Sequence, residues 1–323
     1  MTLVIRARNV NDAYDNALVL ARLVGVSSES RNGPVIKFPG PVITEYLAPC
    51  ERVLWDPVRD VNSVFHMVES FWMLAGRSDA APLLPFNSRM GEFAEEDGNI
   101  HGAYGQRWRF WFTEDQIQIA IEKLRSNRRD RRVVIGMWDP SSDNDPLLRD
   151  VPCNTHIYFN CREGAKLDMT VCCRSNDMVW GAYGANVVHM SILHEIVAAG
   201  AGLKVGTYAQ FSNDFHLYAG LPNFNQIWNT VPDVDKDEYG RGVPVIPLLR
   251  EGELVEEFIA DCTALLKGDK PANTYFMTAV AYPLIRTYLA RKIGVPWKAM
   301  LDEIPPCDWT LSFLQWATRR DDK

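Results

Sequence analysis

The chain has 323 residues, is 47% hydrophobic and 23% charged, and carries a net charge of −7. That is the composition of a globular protein with a sizeable core, of a length that suits one large domain or two modest ones. The acidic balance argues against broad nucleic-acid binding, no apolar run approaches the ~20 residues of a membrane span, and "MTLVIRARNVNDAYDNAL" has no signal-peptide core, so a cytoplasmic location is expected.

In chain order, apolar spacing after an Asn/Asp start predicts a first helix over 11–25. "SSESRNGPVIKFPGPVITEYL" reads as a polar turn leading into short extended segments. "DVNSVFHMVESFWMLAGRSD" predicts a strongly apolar helix ending at Gly76, with Glu69 as the one carboxylate inside its apolar run. Residues 80–112 read as aromatic loop. "TEDQIQIAIEKLRS" predicts a helix with Thr113 as N-cap.

"RRVVIGMWD", "THIYFNC", "KLDMTVCC" and "VGTYAQFSND" are rich in β-branched and aromatic residues and predict strands. "NVVHMSILHEIVAAGAGL" predicts a long buried helix between the last two. Two or three further helices are expected in the tail, at "LVEEFIADCTALLKG", "FMTAVAYPLIRTYLARKIG" and "PWKAMLDEI", with a surface loop over 229–245. There is no repeat, linker or composition break, so a single α+β domain over 1–323 is expected, a mixed sheet flanked by helices.

Seven cysteines are an odd number without a CxxC pair, which favours neither a disulfide framework nor a zinc site. Cys153 stands between a loop and a strand, where a thiol gains the exposure a nucleophile needs. Cys161, Cys172 and Cys173 fall inside strands and read as small hydrophobes. Arg31 beside Asn32-Gly33, the run Arg128, Arg129, Arg131 and Arg132, and Arg174-Ser175 could clamp an anion if the fold gathers them. Glu69 reads as a structural carboxylate or as a proton-transfer or water-activating group. Asp177 and Asn186 have the donors and acceptors to read a heterocycle's edge, and His216 and Tyr218 share a face if extended.

In this order the segments resemble the thymidylate synthase family from about residue 29 to 220. The segments are "SRNG", "HMVESFWMLAGRSD", "GAYGQRWRFW", "RRVVIGMWDP", "VPCN", "CRSND" and "SNDFHLY". The resemblance implies a twisted mixed sheet with one face at a homodimer interface, and a pyrimidine nucleoside monophosphate as substrate. It implies that Cys153 attacks C6 of the base and that C5 takes a one-carbon unit from methylenetetrahydrofolate. Arg31, Arg174 and Ser175, with Arg131 and Arg132 of the other subunit, would bind phosphate. His216 and Tyr218 would hold the sugar, and Asn186 would face the base. Glu69 and Tyr104 would manage protons and water. Asp177, Gly181, Met90 and Phe93 would meet the folate, and no metal is implied.

The family pattern breaks at informative places. Its histidine after the nucleophile is Asn154 here, its glutamine before the clamp arginine is Cys173, and its Gly-Leu-Pro-Phe-Asn turn is "GAYGAN", one residue longer. Met90 stands in "NSRMGEF" for a shielding tryptophan, and "FLQWATRRDDK" has no apolar closing segment. A wetter site favours water over hydride at the activated C5 methylene. A 5-hydroxymethyltransferase is therefore expected, with dUMP ahead of dCMP and CMP. Alternatives are a thymidylate synthase, a catalytically dead nucleotide binder, and a thiol hydrolase using His156.

Overall fold

The computed structural model describes residues 2–162, 165–232 and 237–321. Residues 233–236 of the 229–245 loop, and the extremes of the 1–323 span, lie outside the described residues.

β1 (Leu3–Ala7) leads to α1 (Val10–Val24), where Asn9 accepts from the N–H groups of Asn11 and Asp12 as N-cap. β2 (Val26–Ser30) and β3 (Gly33–Lys37) form a hairpin, and β4 (Val42–Tyr46) follows. α2 (Ser63–Leu74) starts at the cap Asn62 and is buried along its whole length; Gly76, at φ 69°, terminates it. The stretch expected as loop contains short helical turns, then α3 (Tyr104–Gln106), which widens to i→i+5 bonding over Arg107–Trp111. α4 (Gln116–Ser126) is capped by Asp115. The expected cap, Thr113, has φ 67° and sits in the turn before it.

β5 (Val134–Gly136) is short, whereas β6 (Asn154–Cys161) and β7 (Lys166–Asp177) are full strands. The "GAYGAN" segment is no turn: Met178–Asn186 is a wide helix running straight into α5 (Val187–Gly200). A helix absorbs one extra residue by this widening, so the longer motif stays helical. β8 (Lys204–Tyr218) extends four residues past the expected strand, because Phe215 and Leu217 are buried.

α6 (Phe224–Asn229) and α7 (Val255–Leu266) precede a wide turn, Phe276–Ala281, that continues as α8 (Tyr282–Lys292). α9 (Lys298–Leu301) is one turn rather than the longer helix expected. α10 (Asp308–Asp321) was not expected. Its last turn is tied down where Arg319 and Arg320 both donate to Asp60.

The sheet order is β1-β4-β8-β7-β6-β5, with the β2–β3 hairpin joined through β3 to β8. β1/β4 and β7/β8 are parallel and the other pairs antiparallel, so the architecture is α+β with a mixed sheet, as expected. One sheet face is buried in the core and the other is half exposed.

The alternation slips by one residue at the same level in three neighbouring strands. In β7 the buried residues are odd-numbered through Cys173 and then shift to Asn176; in β8 they are even-numbered through Ser212 and then shift to Phe215. In β6 the register slips between Asn154 and His156. The strands stay paired across this transverse crease, because all three change phase together.

Candidate active site

Cys153 lies at the entrance to β6, on the crease, and is partly exposed. Its backbone is held from two sides. The N–H groups of Cys153 and Asn154 donate to the Tyr104 hydroxyl at 3.2 and 3.1 Å, and the Cys153 carbonyl accepts from Arg174 N at 2.8 Å. The Arg174 side chain folds back on the same loop. Its Nε donates to Pro152 O at 2.8 Å, and an Nη reaches the Cys153 Sγ at 3.8 Å.

Burial pushes the Cys153 thiol up; Arg174 is the largest opposing influence, Asp150 pushes it further up, and Arg31 pulls it down. Arg31 reaches the site from the two-residue loop between β2 and β3. That loop is held in part by Asn32, which donates to the Tyr218 hydroxyl at 3.3 Å. Two of the expected anion-binding arginines therefore converge on Cys153, and Ser175 follows Arg174 on β7.

Arg131 and Arg132 do not join them within one chain. Val134 pairs with Tyr158 and Gly136 with His156. Continued, that register sets Arg132 and Arg131 against Asn160 and Cys161 at the far end of β6, roughly 25 Å along the strand from Cys153 at about 3.3 Å per residue. Both side chains are exposed there, and the Arg132 side chain pairs with Asp130 at 3.3 Å.

β7 and β8 place Asp177 opposite His216, and β3 places Val35 opposite Tyr218. His216 and Tyr218 meet edge to face with ring centroids 5.0 Å apart, and His216 Nδ1 lies 3.4 Å from Asp214. His216 Nε2 is buried without a partner, a free group for a ligand. Asp177 has one oxygen bonded to the Trp180 N–H and the other, Oδ1, buried and unpartnered. Burial raises its carboxyl above the usual range. Beside it Gly181 leaves no room for a side chain, since a Cβ there would lie 2.7 Å from Asn176 Oδ1. Trp180 is 50% exposed, with the buried Arg59 guanidinium 4.3 Å from its ring centroid. An unpaired carboxylate oxygen beside an open indole face suits a flat heterocycle with N–H donors.

Met90 and Phe93 sit on the 88–95 turn, Met90 against the core and Phe93 exposed. Arg149 ties this turn to the loop before Cys153: its N–H donates to Glu95 at 2.9 Å and its side chain to Ala94 O at 2.6 Å. Glu69 is buried on α2, and its Oε2 lies 2.9 Å from Nε2 of His189 on the first turn of α5. The contact is off the hydrogen-bond direction, and both ring nitrogens of His189 are without partners. His66, the next polar group along, is held neutral by burial.

Several groups here went unread in the sequence. Asp150 has its carboxyl pushed up to about 6 by burial, against the pull of Arg174, His101 and Arg107. Asn186 accepts from Asn154 and donates to Asn176, each at 3.1 Å, so the expected base-reading amide stands inside a row of other amides. Arg107, from "GQRW", forms a fully buried pair with Asp143 at 2.7 Å and donates to Met137 O at 2.8 Å and to His101 O at 3.0 Å. Cys172 points away from the site to the half-exposed sheet face, which also carries Tyr158, while Cys173 is buried. His156 is exposed, one residue past the crease.

No helix among the described residues is long and apolar enough to cross a membrane, and among them no cluster of His, Cys, Asp or Glu could hold a metal ion. A family model described as thymidylate synthase matches residues 58–239. The chain is 39% identical over 332 aligned positions to the Deoxyuridylate hydroxymethyltransferase of Pseudomonas phage M6, spanning 98% of this chain and 94% of that protein. It is 36% identical to the protein of the same name from Bacillus phage SP01 over 58% of this chain and 51% of that one. It is 35% identical to the Thymidylate synthase of Corynebacterium aurimucosum over 48% of this chain and 59% of that one.

Proposed function

This chain belongs to the thymidylate synthase family, and we propose that it is a folate-dependent deoxyuridylate 5-hydroxymethyltransferase. The observation that carries the reading is the Cys153 thiol with Arg174 3.8 Å from its sulfur, set in a chain whose likeness to a phage deoxyuridylate hydroxymethyltransferase runs nearly end to end.

Methylenetetrahydrofolate supplies the one-carbon unit at formaldehyde oxidation level, and the unpaired Asp177 Oδ1 beside Gly181 and Trp180 fits its heterocycle. The remaining work falls to the chain. Arg31, Arg174 and Ser175 hold the nucleotide phosphate, and His216 and Tyr218 hold the sugar. Arg174 and Arg31 lower the cost of a thiolate at Cys153, which adds to C6 and turns C5 into a carbon nucleophile. Asn186 hydrogen-bonds the base edge and stabilises the charge that develops there. Once C5 is bonded to the one-carbon unit, loss of the C5 proton to solvent releases tetrahydrofolate. Glu69, packed against His189, holds the water that adds to the resulting C5 methylene, and elimination then breaks the Cys153–C6 bond and restores the thiolate.

The active unit is proposed to be a homodimer. Arg131 and Arg132 stand too far along the sheet to reach their own Cys153, which supports delivery to the partner's phosphate. The half-exposed sheet face supports pairing there. The phage relatives support a host-cytoplasm location.

The test is mass spectrometry of products from methylenetetrahydrofolate with dUMP, dCMP and CMP in competition. A hydroxymethylated uracil nucleotide with tetrahydrofolate as co-product is expected, and Cys153→Ala abolishes it. Methylated uracil with dihydrofolate would assign the chain to the synthase reaction instead.

A further inference from the structure

Asn186 is one link in a chain of five buried side chains. Gln210 Nε2 donates to Asn154 Oδ1 at 3.4 Å, and Asn154 Nδ2 donates to Asn186 Oδ1 at 3.1 Å. Asn186 Nδ2 donates to Asn176 Oδ1 at 3.1 Å, and Asn176 Nδ2 donates to Ser212 Oγ at 3.0 Å. None of the five is more than 8% exposed. The N–H groups all point one way along the row.

An amide has two N–H donors and two lone pairs. The row uses one of each on Asn186 and leaves one N–H and one lone pair for a ligand. Uracil offers an acceptor at O4 and a donor at N3; cytosine offers a donor at N4 and an acceptor at N3. The two flips of one amide are therefore complementary to different bases. A free asparagine could turn to suit either. This one cannot turn alone, because reversing it would set two N–H groups, or two oxygens, face to face with its neighbours.

We propose that this amide row couples the flip of Asn186 to its neighbours, so that Asn186 reverses only when the whole row reverses, making Asn154, Asn176 and Gln210 positioning residues for base specificity. This rests on the deoxyuridylate reading above and adds what holds the reading group in place. The ends of the row do not force its direction, since the Ser212 hydroxyl can accept or donate and Gln210 Oε1 is buried without a partner. The direction is thus switchable by changing a link that never touches the base.

Three isosteric substitutions separate direction from mere charge. Asn154→Asp leaves only acceptors beside Asn186, so Asn186 turns its Nδ2 toward position 154 and its oxygen toward Asn176. Gln210→Glu forces the same reversal from one link further back. Asn176→Asp adds the same charge on the other side of Asn186 but accepts from its Nδ2, which keeps the original direction.

The experiment uses the full chain at pH 8 and above, where a carboxyl facing two N–H donors is ionised. It measures kcat/KM for dUMP and dCMP with methylenetetrahydrofolate, and calorimetric affinities for both nucleotides without folate. Asn154→Asp and Gln210→Glu are each expected to shift the dUMP/dCMP ratio by up to about a hundredfold toward cytosine, the upper end of what one bidentate amide–base pair discriminates. Asn176→Asp keeps the wild-type ratio, even with slower turnover. A uniform loss on both nucleotides in all three variants, or an equal shift from all three, overturns the proposal. A wild-type enzyme that converts neither nucleotide overturns the functional reading instead, and the affinity ratios still decide the row.

Discussion

The Tyr104 hydroxyl stands 3.2 Å from the amide nitrogen of Cys153 and 3.1 Å from that of Asn154, accepting a hydrogen bond from each. One phenol thus sets the backbone of the proposed nucleophile. Its position depends on a tight crossing of α3 and α2: a Cβ on Gly105 would lie 2.0 Å from Met73 O. Tyr104→Phe leaves both N–H groups without this acceptor. Turnover is expected to fall about 10- to 100-fold, with a loss of about 1–3 kcal/mol in stability. Steady-state kinetics and thermal melts check this; unchanged kcat would show that Arg174 alone holds the loop.

Asp150 supplies a second prediction. Its carboxyl titrates at about 6 and, once ionised, opposes a thiolate at Cys153. Asp150→Asn removes that opposition only where the wild-type group is charged. Alkylation of Cys153 by iodoacetamide is expected to be about threefold faster in the variant at pH 8, and equal in the two proteins below about pH 6. A constant ratio across pH would mean that the substitution acts by repacking.

Stability should depend on pH through Asp308, buried at the start of α10. It accepts from the Tyr239 hydroxyl at 3.0 Å and the Trp309 N–H at 3.0 Å, and burial raises its carboxyl to about 7. A folded-state value above the unfolded one means that the folded protein prefers the proton. That preference is fully felt below about pH 4 and is lost as pH rises through about 7. Asp308→Asn keeps the acceptor and removes the ionisation. The variant's melting temperature is expected to drop less than the wild type's between pH 5 and pH 8, by the equivalent of up to about 2.5 kcal/mol. Parallel curves would remove Asp308 as the cause.

Residues with a distinctive chemical type were legible in the sequence. Cys153 was marked by its loop-to-strand junction, Glu69 by its apolar helix, Arg31 by its turn and Arg174 by the end of its strand. The five-member amide row was not, because asparagine and glutamine in a strand read as surface filler. Two signals were present: such residues are depleted in strands, and Asn154, Asn176, Gln210 and Ser212 all fall in segments otherwise apolar on one face. The crease hid the rest. A period of two carried through Cys173 puts Asn176 on the wrong face, and the burial pattern shows otherwise. α10 was legible in principle, with Trp309, Phe313 and Ala317 buried at helical spacing, but aromatic density masked the period.

The crease across β6, β7 and β8 also has a mechanical meaning. A regular sheet resists bending because every ladder bond shares the load, whereas three strands that change phase at one level provide a ready fold line. Closure around a nucleotide is therefore expected as a small rotation of the strand ends carrying Cys153, Arg174 and His216 about that line. The core below it stays still, so the molecule can grip its substrate without disturbing what keeps it folded.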